Sequence, residues 1–477
     1  MKTLEFDVAV IGAGSAGMSA YRAAKTHGKR VALIESGPYG TTCARVGCMP
    51  SKLLIAAAEA AHAVGEAPGF GVHAGALRID GKAVMQRVRS ERDRFVGFVV
   101  QGIEHIDPAD RLRSHARFLA ADCLQVGEHT QVQAQCVVIA SGSSPQIPPE
   151  LSGLGKQLIV SDDVFDWDDL PASVAVIGTG VIGLELGQAL HRLGVRVAIF
   201  GRKARVAQLS DPAVNQTAIA CLGAELDLRL NTTIVTARLS GAQVELHTRS
   251  ADGDERTEHF QYVLAATGRT PNVRGLGLET TGLQLNEQGL PTFDPSTMQC
   301  GDSAIFIAGD VDNDRPLLHE ASDEGRIAGD NAGRFPAVAA GLRRVPLAIA
   351  FTDPQIAMIG HTPRTLKKGC FQSGEVSFED QGRSRVMRQN RGLLRVYGEP
   401  GSLRFLGAEM TGPRAEHLAH LLAWACQSGM TVDQMLDMPF YHPVVEEGLR
   451  TALRNLKENL LQHVSAIEHC ADCTPGV

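Results

Sequence analysis

Two stretches of the chain share one order of apolar and polar positions. Residues 7–11 form an apolar run that predicts a buried strand, and residues 18–27 have the spacing of a packed helix. Between them lies a glycine turn made by Gly12, Gly14 and Gly17. Strand, glycine turn and helix in this order are typical of a dinucleotide-binding unit, in which the backbone approaches a pyrophosphate at the helix N-terminus.

The same pattern returns 166 positions later, where Gly178, Gly180 and Gly183 follow the apolar run 174–177 and precede the helical pattern 184–193. One G-x-G-x-x-G turn is a weak signal, because an ordinary glycine turn can have the same letters. Two copies with the same internal spacing make coincidence a poor explanation. The sequence therefore predicts an α/β protein with two Rossmann-like dinucleotide-binding domains.

The two copies differ at the end of their second strand. In the first copy this position is Glu35, whose carboxylate can accept hydrogen bonds from ribose hydroxyls. The second copy has Gly201, and the basic residues Arg202, Lys203 and Arg205 that follow it suit the 2′-phosphate of NADP. A solvated basic loop would have the same composition, so the choice between NAD and NADP stays open.

Two cysteines lie between the first glycine turn and a strongly helical segment, residues 53–64. Cys43 and Cys48 are separated by four residues, so the chain can close a small disulfide. Pro50 fits a first helical turn, which places Cys48 at the positive end of a helix dipole and close to Lys52. Both influences favour the reactive thiolate. Two unrelated buried cysteines, or half of a zinc site, are the alternatives.

A second candidate for chemistry lies near the C-terminus, where His442 precedes Pro443 and Glu447 follows five positions after the histidine. Proline keeps His442 out of helical geometry and is predicted to open a helix that runs to Leu461. The carboxylate of Glu447 can then bind one ring nitrogen of His442 and raise the basicity of the other. The pattern predicts a general base.

Composition and charge narrow the class of protein. A chain of 477 residues, 44% apolar and 21% charged, predicts several globular domains. The net charge of −7 gives no reason to expect nucleic acid or an anionic membrane as a partner, and no apolar run approaches transmembrane length. Ten cysteines without a recognisable export signal indicate a cytoplasmic protein.

Together these motifs resemble the pyridine nucleotide-disulfide oxidoreductases, the family of glutathione reductase, mercuric reductase and dihydrolipoyl dehydrogenase. The resemblance covers nearly the whole chain and also rests on the segments around Gly142, Gly268 and Asp310. It implies FAD in the first nucleotide site, NAD or NADP in the second, and a C-terminal α+β dimerisation domain. Residues 318–325 resemble the corresponding segment of dihydrolipoyl dehydrogenases more than that of glutathione reductases.

The resemblance also implies roles for individual residues. Cys43 would exchange with substrate, Cys48 would face the flavin, and His442, oriented by Glu447, would take the substrate thiol proton in the other subunit's active site. The implied FAD contacts are Gly12, Gly14, Gly17, Glu35, Lys52, Gly142 and Asp310, with Glu185 paired to Lys52 beside the flavin. The implied NAD(P) contacts are Gly178, Gly180, Gly183, Glu185, Arg202 and Gly268. No metal site is expected.

The function implied is that of a dihydrolipoyl dehydrogenase, which passes electrons from dihydrolipoamide or another small dithiol through a Cys43–Cys48 disulfide and FAD to NAD or NADP. The expected assembly is a homodimer, with a 2-oxo-acid dehydrogenase complex as a further candidate partner. The alternatives are an NAD(P)H-dependent reductase of another disulfide, a quinone or mercuric ion, and a non-catalytic redox-sensing flavoprotein. Four residues depart from the family pattern: Thr41 stands for glycine, Arg45 for asparagine, Val444 for threonine, and Gly201 for the acid of an NAD-linked dihydrolipoyl dehydrogenase.

The resemblance divides the chain into functional regions. Residues 1–155 and 275–340 are expected to bind FAD, residues 156–274 to bind NAD(P), and residues 341–465 to form the interface between subunits. Residues 466–477 are expected to be a flexible tail. This tail contains Cys470 and Cys473, which could form a second redox relay, bind a soft metal, or have no chemical role.

Overall fold

The computed structural model describes residues 1–462, which form two compact units. The expected tail, with Cys470 and Cys473, lies outside the described residues. The first unit consists of Met1–Leu53, Met85–Gln146 and Gly268–Arg343, and the second of Leu54–Val84, Ile147–Thr267 and the residues from Arg344 onward.

The strands of the described residues fall into five sheets. In chain order they are β1 (Lys2–Ile11), β2 (Val31–Ile34), β3 (Arg111–Leu112), β4 (Ala116–Ala120), β5 (Cys123–Val126), β6 (Thr130–Ile139), β7 (Ser143–Pro145), β8 (Leu158–Val160), β9 (Ser173–Ile177), β10 (Arg196–Phe200), β11 (Asp227–Arg229), β12 (Thr232–Ser240), β13 (Gln243–Ser250), β14 (Glu255–Phe260), β15 (Tyr262–Ala265), β16 (Arg269–Pro271), β17 (Ile305–Ile307), β18 (Leu347–Ala350), β19 (Gln355–Gly360), β20 (Gln372–Ser377), β21 (Leu393–Gly398) and β22 (Phe405–Gly412).

The α-helices of the same residues are α1 (Ser15–Thr26), α2 (Thr42–Val46), α3 (Cys48–Glu66), α4 (Gly81–Glu104), α5 (Val181–Arg192), α6 (Pro212–Gly223), α7 (Leu318–Arg334), α8 (Gly382–Val386), α9 (Ala415–Gln427), α10 (Val432–Leu436) and α11 (Glu446–Gln462). None of the helices within residues 1–462 combines the length and hydrophobicity needed to cross a lipid bilayer.

The first unit is built on a sheet with strand order β3-β2-β1-β6-β5-β4, and β17 pairs with the C-terminal part of β6. Strand β1 runs parallel to both β2 and β6. The last four residues of β1 are buried on both faces, since Val8 and Val10 belong to one apolar cluster and Ala9 and Ile11 to another. A strand covered on both faces reads as a continuous apolar run, which explains the sequence pattern.

Helices α1 and α7 of the first unit pack closely against each other. A Cβ atom on Gly325 of α7 would lie 2.1 Å from the carbonyl oxygen of Ala16 on α1. This approach is possible only because Gly325 has no side chain. It fixes α7 beside the helix that follows the first glycine turn.

The second unit contains the other dinucleotide-binding sheet, which is parallel and has the order β11-β10-β9-β15-β8. Strands β12, β13 and β14 form a small antiparallel sheet. The C-terminal part of the unit is an antiparallel sheet of order β18-β19-β22-β21-β20, whose apolar core is completed by α9 and α11. The predicted α+β character of this region is confirmed.

Helix α3 begins at Cys48, so Pro50 lies in its first turn, where a missing N–H leaves no intrahelical hydrogen bond unmade. One predicted helix start is wrong. Helix α11 begins at Glu446 and not at Pro443. The Val444 carbonyl accepts a hydrogen bond from the side-chain amide of Gln381 (2.8 Å), which holds this segment as a turn.

Candidate active site

The three glycines of the first turn have three different surroundings. A Cβ atom on Gly12 would lie 2.2 Å from the carbonyl oxygen of Ala140, and one on Gly17 would lie 1.9 Å from the carbonyl oxygen of Gly12. Around Gly14, by contrast, no atom lies within 4 Å of the Cβ position. The first and third glycines therefore close the turn, and the second leaves open room in which the backbone can approach a pyrophosphate.

The second turn repeats this arrangement. A Cβ atom on Gly178 would lie 2.2 Å from the carbonyl oxygen of Ala266, and one on Gly183 would lie 2.2 Å from that of Gly178. The Cβ position of Gly180 again has no atom within 4 Å. Helix α5 starts directly after Gly180, as α1 starts directly after Gly14. Both turns thus fit a dinucleotide at a helix N-terminus.

Glu35 ties the first turn to the end of β2. Its Oε2 accepts a hydrogen bond from the backbone N–H of Ala13 (2.8 Å), and its Oε1 accepts one from the N–H of Gly37 (2.7 Å). A carboxylate has about four acceptor positions, so both oxygens can still accept a further hydrogen bond from ribose hydroxyls. The acid therefore orders the turn as well as offering a contact to the nucleotide.

The second repeat has a different structure at the corresponding place. A Cβ atom on Gly201 would lie 2.7 Å from the Cγ2 methyl of Thr179, so this methyl group fills space that an acidic side chain would need. The hydroxyl of Thr179 donates a hydrogen bond to the carbonyl oxygen of Arg205 (2.8 Å). The loop thus has a fixed backbone, and the side chains of Arg202, Lys203 and Arg205 are exposed on it.

The two cysteines lie on consecutive short elements of the first unit. Cys43 is half-buried on α2, whereas Cys48 is the first residue of α3 and is exposed. Both are thiols in this structure. A hydrogen bond with Cys48 and burial raise the pKa of the Cys43 thiol above its ordinary value, and the ammonium of Lys52 acts in the opposite direction. The structure therefore brings the two sulfur atoms together, as the spacing predicts.

Thr41 explains one departure from the family pattern. Its backbone has φ +58° and ψ 152°, a region that is essentially restricted to glycine and costs other residues roughly 1–3 kcal/mol. Its hydroxyl accepts a hydrogen bond from the N–H of Ala44 (3.3 Å), which caps α2 ahead of Cys43. The cap offsets part of the strain at the position where the family has glycine.

Asp310 follows the end of β17 by three residues, and its side chain is part of a hydrogen-bonded chain. The hydroxyl of Ser143 donates to the Asp310 carboxylate (2.9 Å), and the guanidinium of Arg269 donates to the same hydroxyl oxygen (2.8 Å). Gly142 and Gly268 flank the paired strands β7 and β16 that contain these groups, and both have positive φ. Gly268, whose implied partner is NAD(P), thus belongs to the first unit.

A buried acid pair lies next to Asp310. Burial and the charge of Glu324 raise the pKa of Asp312 to about 8. Burial also raises the pKa of Glu324, although the guanidinium of Arg343 lies 2.9 Å from its carboxylate. Glu324 accepts a hydrogen bond from the N–H of Gly309 (2.8 Å), so the pair holds the turn that presents Asp310.

The predicted pair of Lys52 and Glu185 is divided between the two units. Lys52 lies in the second turn of α3, where its ammonium is 3.4 Å from the hydroxyl of Ser51. Glu185 is buried on α5 and accepts a hydrogen bond from the N–H of Phe351 (2.8 Å). The two side chains belong to different units, and their pairing stays a prediction.

The predicted contact between His442 and Glu447 is present. The Nδ1 atom of His442 lies 3.1 Å from each carboxylate oxygen of Glu447, to which it donates. This hydrogen bond, supported by the N–H of Val444 and the guanidinium of Arg450, holds the pKa of Glu447 below its ordinary value. The His442 side chain is 81% exposed, so Nε2 is accessible and carries the lone pair of a base.

Sequence reasoning did not identify Thr179, Ser143 or the acid pair of Asp312 and Glu324. A signal for Thr179 was available, because it occupies the position that Ala13 has in the first repeat. The acid pair had no comparable signal, since buried carboxylates that share a hydrogen bond cannot be distinguished in a sequence from ordinary surface acids.

Comparison with known families agrees with this geometry. Residues 6–325 match the family described as pyridine nucleotide-disulphide oxidoreductase, and residues 346–453 match the dimerisation domain of the same family. The chain belongs to this family. Its members use FAD and a nicotinamide nucleotide, so the predicted fold class and both predicted cofactors are confirmed.

Individual relatives have two different named activities. A mercuric reductase of Shigella flexneri is 32% identical over 467 residues, which is 95% of this chain and 81% of that protein. A dihydrolipoyl dehydrogenase of Bacillus subtilis (strain 168) is 31% identical over 465 residues, which is 94% of this chain and 97% of that protein. Both similarities support a flavoprotein disulfide reductase, and they leave its substrate open.

Among solved structures, the Cu(II) complex of the HOCl-induced flavoprotein disulfide reductase RclA from Escherichia coli has a TM-score of 0.79. It is 22% identical in sequence, and the match covers 94% of this chain and 99% of that chain. At this level of identity the likeness shows a common fold.

Proposed function

We propose that this flavoprotein disulfide reductase oxidises a small dithiol of the dihydrolipoyl type and passes the two electrons to NADP. The observation that carries the proposal is the contact between His442 and Glu447, with distances of 3.1 Å. A thiol must lose its proton before it can attack a disulfide, and an oriented imidazole is suited to accept that proton. Mercuric ion has no proton to lose, so the pair favours a dithiol over a metal substrate.

In the proposed reaction Nε2 of His442 takes the proton of one substrate thiol. The resulting thiolate attacks the Cys43 sulfur of a Cys43–Cys48 disulfide, which forms a mixed disulfide and releases Cys48 as a thiolate. The second substrate thiol then displaces Cys43 and its proton passes to the Cys43 sulfur, so the substrate leaves as a cyclic disulfide and the protein holds the dithiol. When bound beside this dithiol, FAD would supply the two-electron chemistry that links the dithiol to NADP⁺.

The remaining site residues keep their proposed roles. FAD would be held by Gly12, Gly14, Gly17, Glu35, Gly142 and Asp310. The nicotinamide nucleotide would be held by Gly178, Gly180, Gly183 and Gly268. A pair beside the flavin would be formed by Lys52 and Glu185. The open Cβ positions of Gly14 and Gly180 support the two pyrophosphate contacts. We assign residues 1–155 and 275–340 to FAD, 156–274 to the nucleotide and 341–465 to the interface.

The preference for NADP is supported by the loop that follows β10. Arg202, Lys203 and Arg205 are exposed on this loop, and the hydroxyl of Thr179 fixes its backbone. A 2′-phosphate needs cationic donors, whereas the free 2′-hydroxyl of NAD is usually bound by an acid. Gly201 supplies no acid and its neighbour Thr179 fills the space for one.

The proposed active unit is a homodimer. Residues 346–453 match the family's dimerisation domain, and the base His442 belongs to the second unit, whereas Cys43 and Cys48 belong to the first. The exposure of the His442 side chain supports a role at the surface where a partner subunit docks. In this arrangement each subunit lends its histidine to the dithiol of the other.

The proposal is tested by anaerobic titration of the FAD-loaded protein with dihydrolipoamide, followed by NADP⁺ or NAD⁺ reduction. Dihydrolipoamide should produce long-wavelength absorbance from a thiolate beside the flavin, and NADP⁺ should be reduced faster than NAD⁺. The variant His442→Gln should lower the rate of dithiol oxidation by about 10²- to 10⁴-fold. Reduction of the flavin by NADPH should stay within about twofold of the parent rate, because that step needs no thiol base.

His129→Gln is a matched control, because it replaces a histidine whose side chain is 91% exposed and has no role in the proposed chemistry. This variant should behave as the parent protein. Dithiol oxidation that survives His442→Gln would contradict the role of the histidine. NADPH-dependent turnover of mercuric ion, with no response to any dithiol, would contradict the proposed substrate.

A further inference from the structure

A cleft of about 230 Å³ opens beside the segment that presents His442. Its lining includes Val444, Val445 and Glu446, which follow the histidine within four positions. The carbonyl of Val444 is held by Gln381 (2.8 Å). The wall of the cleft is therefore fixed by the same short segment that orients the proposed base.

Two arginines also line the cleft, Arg383 from α8 and Arg414 at the start of α9, together with His417, whose Nε2 lies 3.5 Å from the Glu416 carboxylate. Arg383 forms no ion pair with any residue in the described range 1–462. Glu446 is the one acid in the lining, so the two guanidinium groups outnumber the carboxylates. The partial positive charge of the α9 N-terminus adds to this excess.

The remaining lining of the cleft is apolar. Met387 and the two valines form a surface suited to a short alkyl chain. The two other arginines near Arg383 in the sequence have partners elsewhere. Arg385 pairs with Asp380 (3.0 Å), and Arg388 stacks over the ring of Phe70 (5.6 Å).

We propose that this cleft binds the carboxylate and alkyl chain of an acidic dithiol, so that the enzyme prefers a free dithiol acid to its neutral amide. The inference rests on the proposed function, because it assigns the tail of the same substrate. His442 and Val444 are two residues apart and their Cα atoms are separated by at most about 7 Å. An alkyl chain of four or five carbons can therefore reach from the dithiol at His442 into the cleft, where its carboxylate meets Arg383 and Arg414.

Dihydrolipoate and dihydrolipoamide provide the test, since they share the dithiol and the chain and differ only in the terminal group. The FAD-loaded full-length protein should oxidise the acid with a kcat/KM at least about tenfold above that of the amide. Arg383→Gln should lower kcat/KM for the acid about tenfold, mainly by raising KM, and leave the value for the amide within about twofold. Arg383→Lys, which keeps the charge, should restore part of the preference.

Arg385→Gln is the matched control, because it removes an arginine of the same helix whose partner is Asp380. It should leave the ratio of acid to amide unchanged. Equal kcat/KM values for the acid and the amide in the parent protein, or an equal loss for both in Arg383→Gln, would overturn the assignment of the cleft while dithiol oxidation survives. If neither compound reduces the flavin, the proposed function fails and this inference fails with it.

Discussion

The two dinucleotide-binding turns have the same backbone and different side chains at one place. In each turn the first and third glycines are required by carbonyl oxygens within 2.2 Å of the Cβ position, and the second glycine faces open space. The strand end has Glu35 beside Ala13 in the first repeat and Gly201 beside Thr179 in the second. The glycines that the two turns share therefore fit the pyrophosphate, which all dinucleotides contain. The two positions that differ can distinguish one nucleotide from another.

The largest expected effect concerns the shared part of the two turns. Gly17→Ala would place a methyl group 1.9 Å from the Gly12 carbonyl oxygen, and Gly183→Ala would place one 2.2 Å from that of Gly178. Neither backbone can yield easily, so each variant should lose roughly 3 kcal/mol or more of local stability. Gly17→Ala should be purified without flavin, whereas Gly183→Ala should keep its flavin and lose nicotinamide binding. Flavin absorbance and nucleotide titration measure the two losses.

The control for this comparison is the middle glycine of each turn. Gly14→Ala and Gly180→Ala add a methyl group where no protein atom lies within 4 Å, so both should fold with a Tm close to that of the parent protein. They should weaken the binding of FAD and of the nicotinamide nucleotide respectively, since the methyl group occupies the open room. Equal unfolding of Gly14→Ala and Gly17→Ala would show that the two positions do not differ as the geometry requires.

The next effect concerns the side chains that distinguish the repeats. The double variant Thr179→Ala with Gly201→Glu gives the second turn the residues of the first. Its new carboxylate should accept hydrogen bonds from the 2′-hydroxyl of NAD and repel the 2′-phosphate of NADP. The ratio of kcat/KM for NADPH over NADH should fall about 10- to 100-fold, which corresponds to a charged hydrogen bond of roughly 1.5–3 kcal/mol.

The single variants show whether the two positions act as a pair. Gly201→Glu alone brings its side chain against the Thr179 methyl group, 2.7 Å from the Cβ position, and should lower the Tm. Thr179→Ala alone should change the nucleotide preference only a few-fold. If Gly201→Glu alone is as stable as the double variant, the methyl group of Thr179 does not exclude an acid.

The repeats also show how much of this protein could be predicted from its sequence. The glycine turns, the buried strand β1 and the contact of Glu447 with His442 could be predicted from spacing along the chain, although the carbonyl groups that require Gly12 and Gly178 belong to the distant residues Ala140 and Ala266. The close approach of the Thr179 methyl group to the Cβ position of Gly201 involves two residues 22 positions apart, and it forms only in the folded sheet. The cleft beside His442 is still less accessible to sequence reasoning, since its lining comes from three separate segments.

Element ends were the other part that spacing could not determine. Pro443 marks a break in the helical pattern, but the hydrogen bond from Gln381 to Val444 sets the start of α11 at Glu446. Thr41 is a similar case, because the fold requires a positive φ at this position and a threonine in the sequence does not indicate one. In both places a contact or a backbone angle of the folded chain decides what a single sequence leaves undetermined.

The smallest expected effect concerns the acid pair that supports the first repeat. Asp312 titrates at about pH 8 in the folded protein instead of its ordinary 3.8, because it is buried beside Glu324. As the pH rises from about 4 to 8, the unfolded chain loses a proton that the folded chain keeps. The contribution of Asp312 to stability is therefore complete below its unfolded pKa and is lost as the pH rises through 8.

Asp312→Asn removes this titration and keeps a side chain that can donate a hydrogen bond to Glu324. Between about pH 5 and pH 8, the Tm of the parent protein should fall by about 3 °C more than that of the variant, as followed by flavin release on heating. Glu447→Gln is an appropriate control, because it removes a half-buried acid of the second unit whose pKa is lowered and not raised. Parallel Tm profiles for the parent and Asp312→Asn would contradict the prediction. They would mean that Asp312 and Glu324 are both ionised in the folded protein, and that Arg343 alone neutralises their charge beside Gly309.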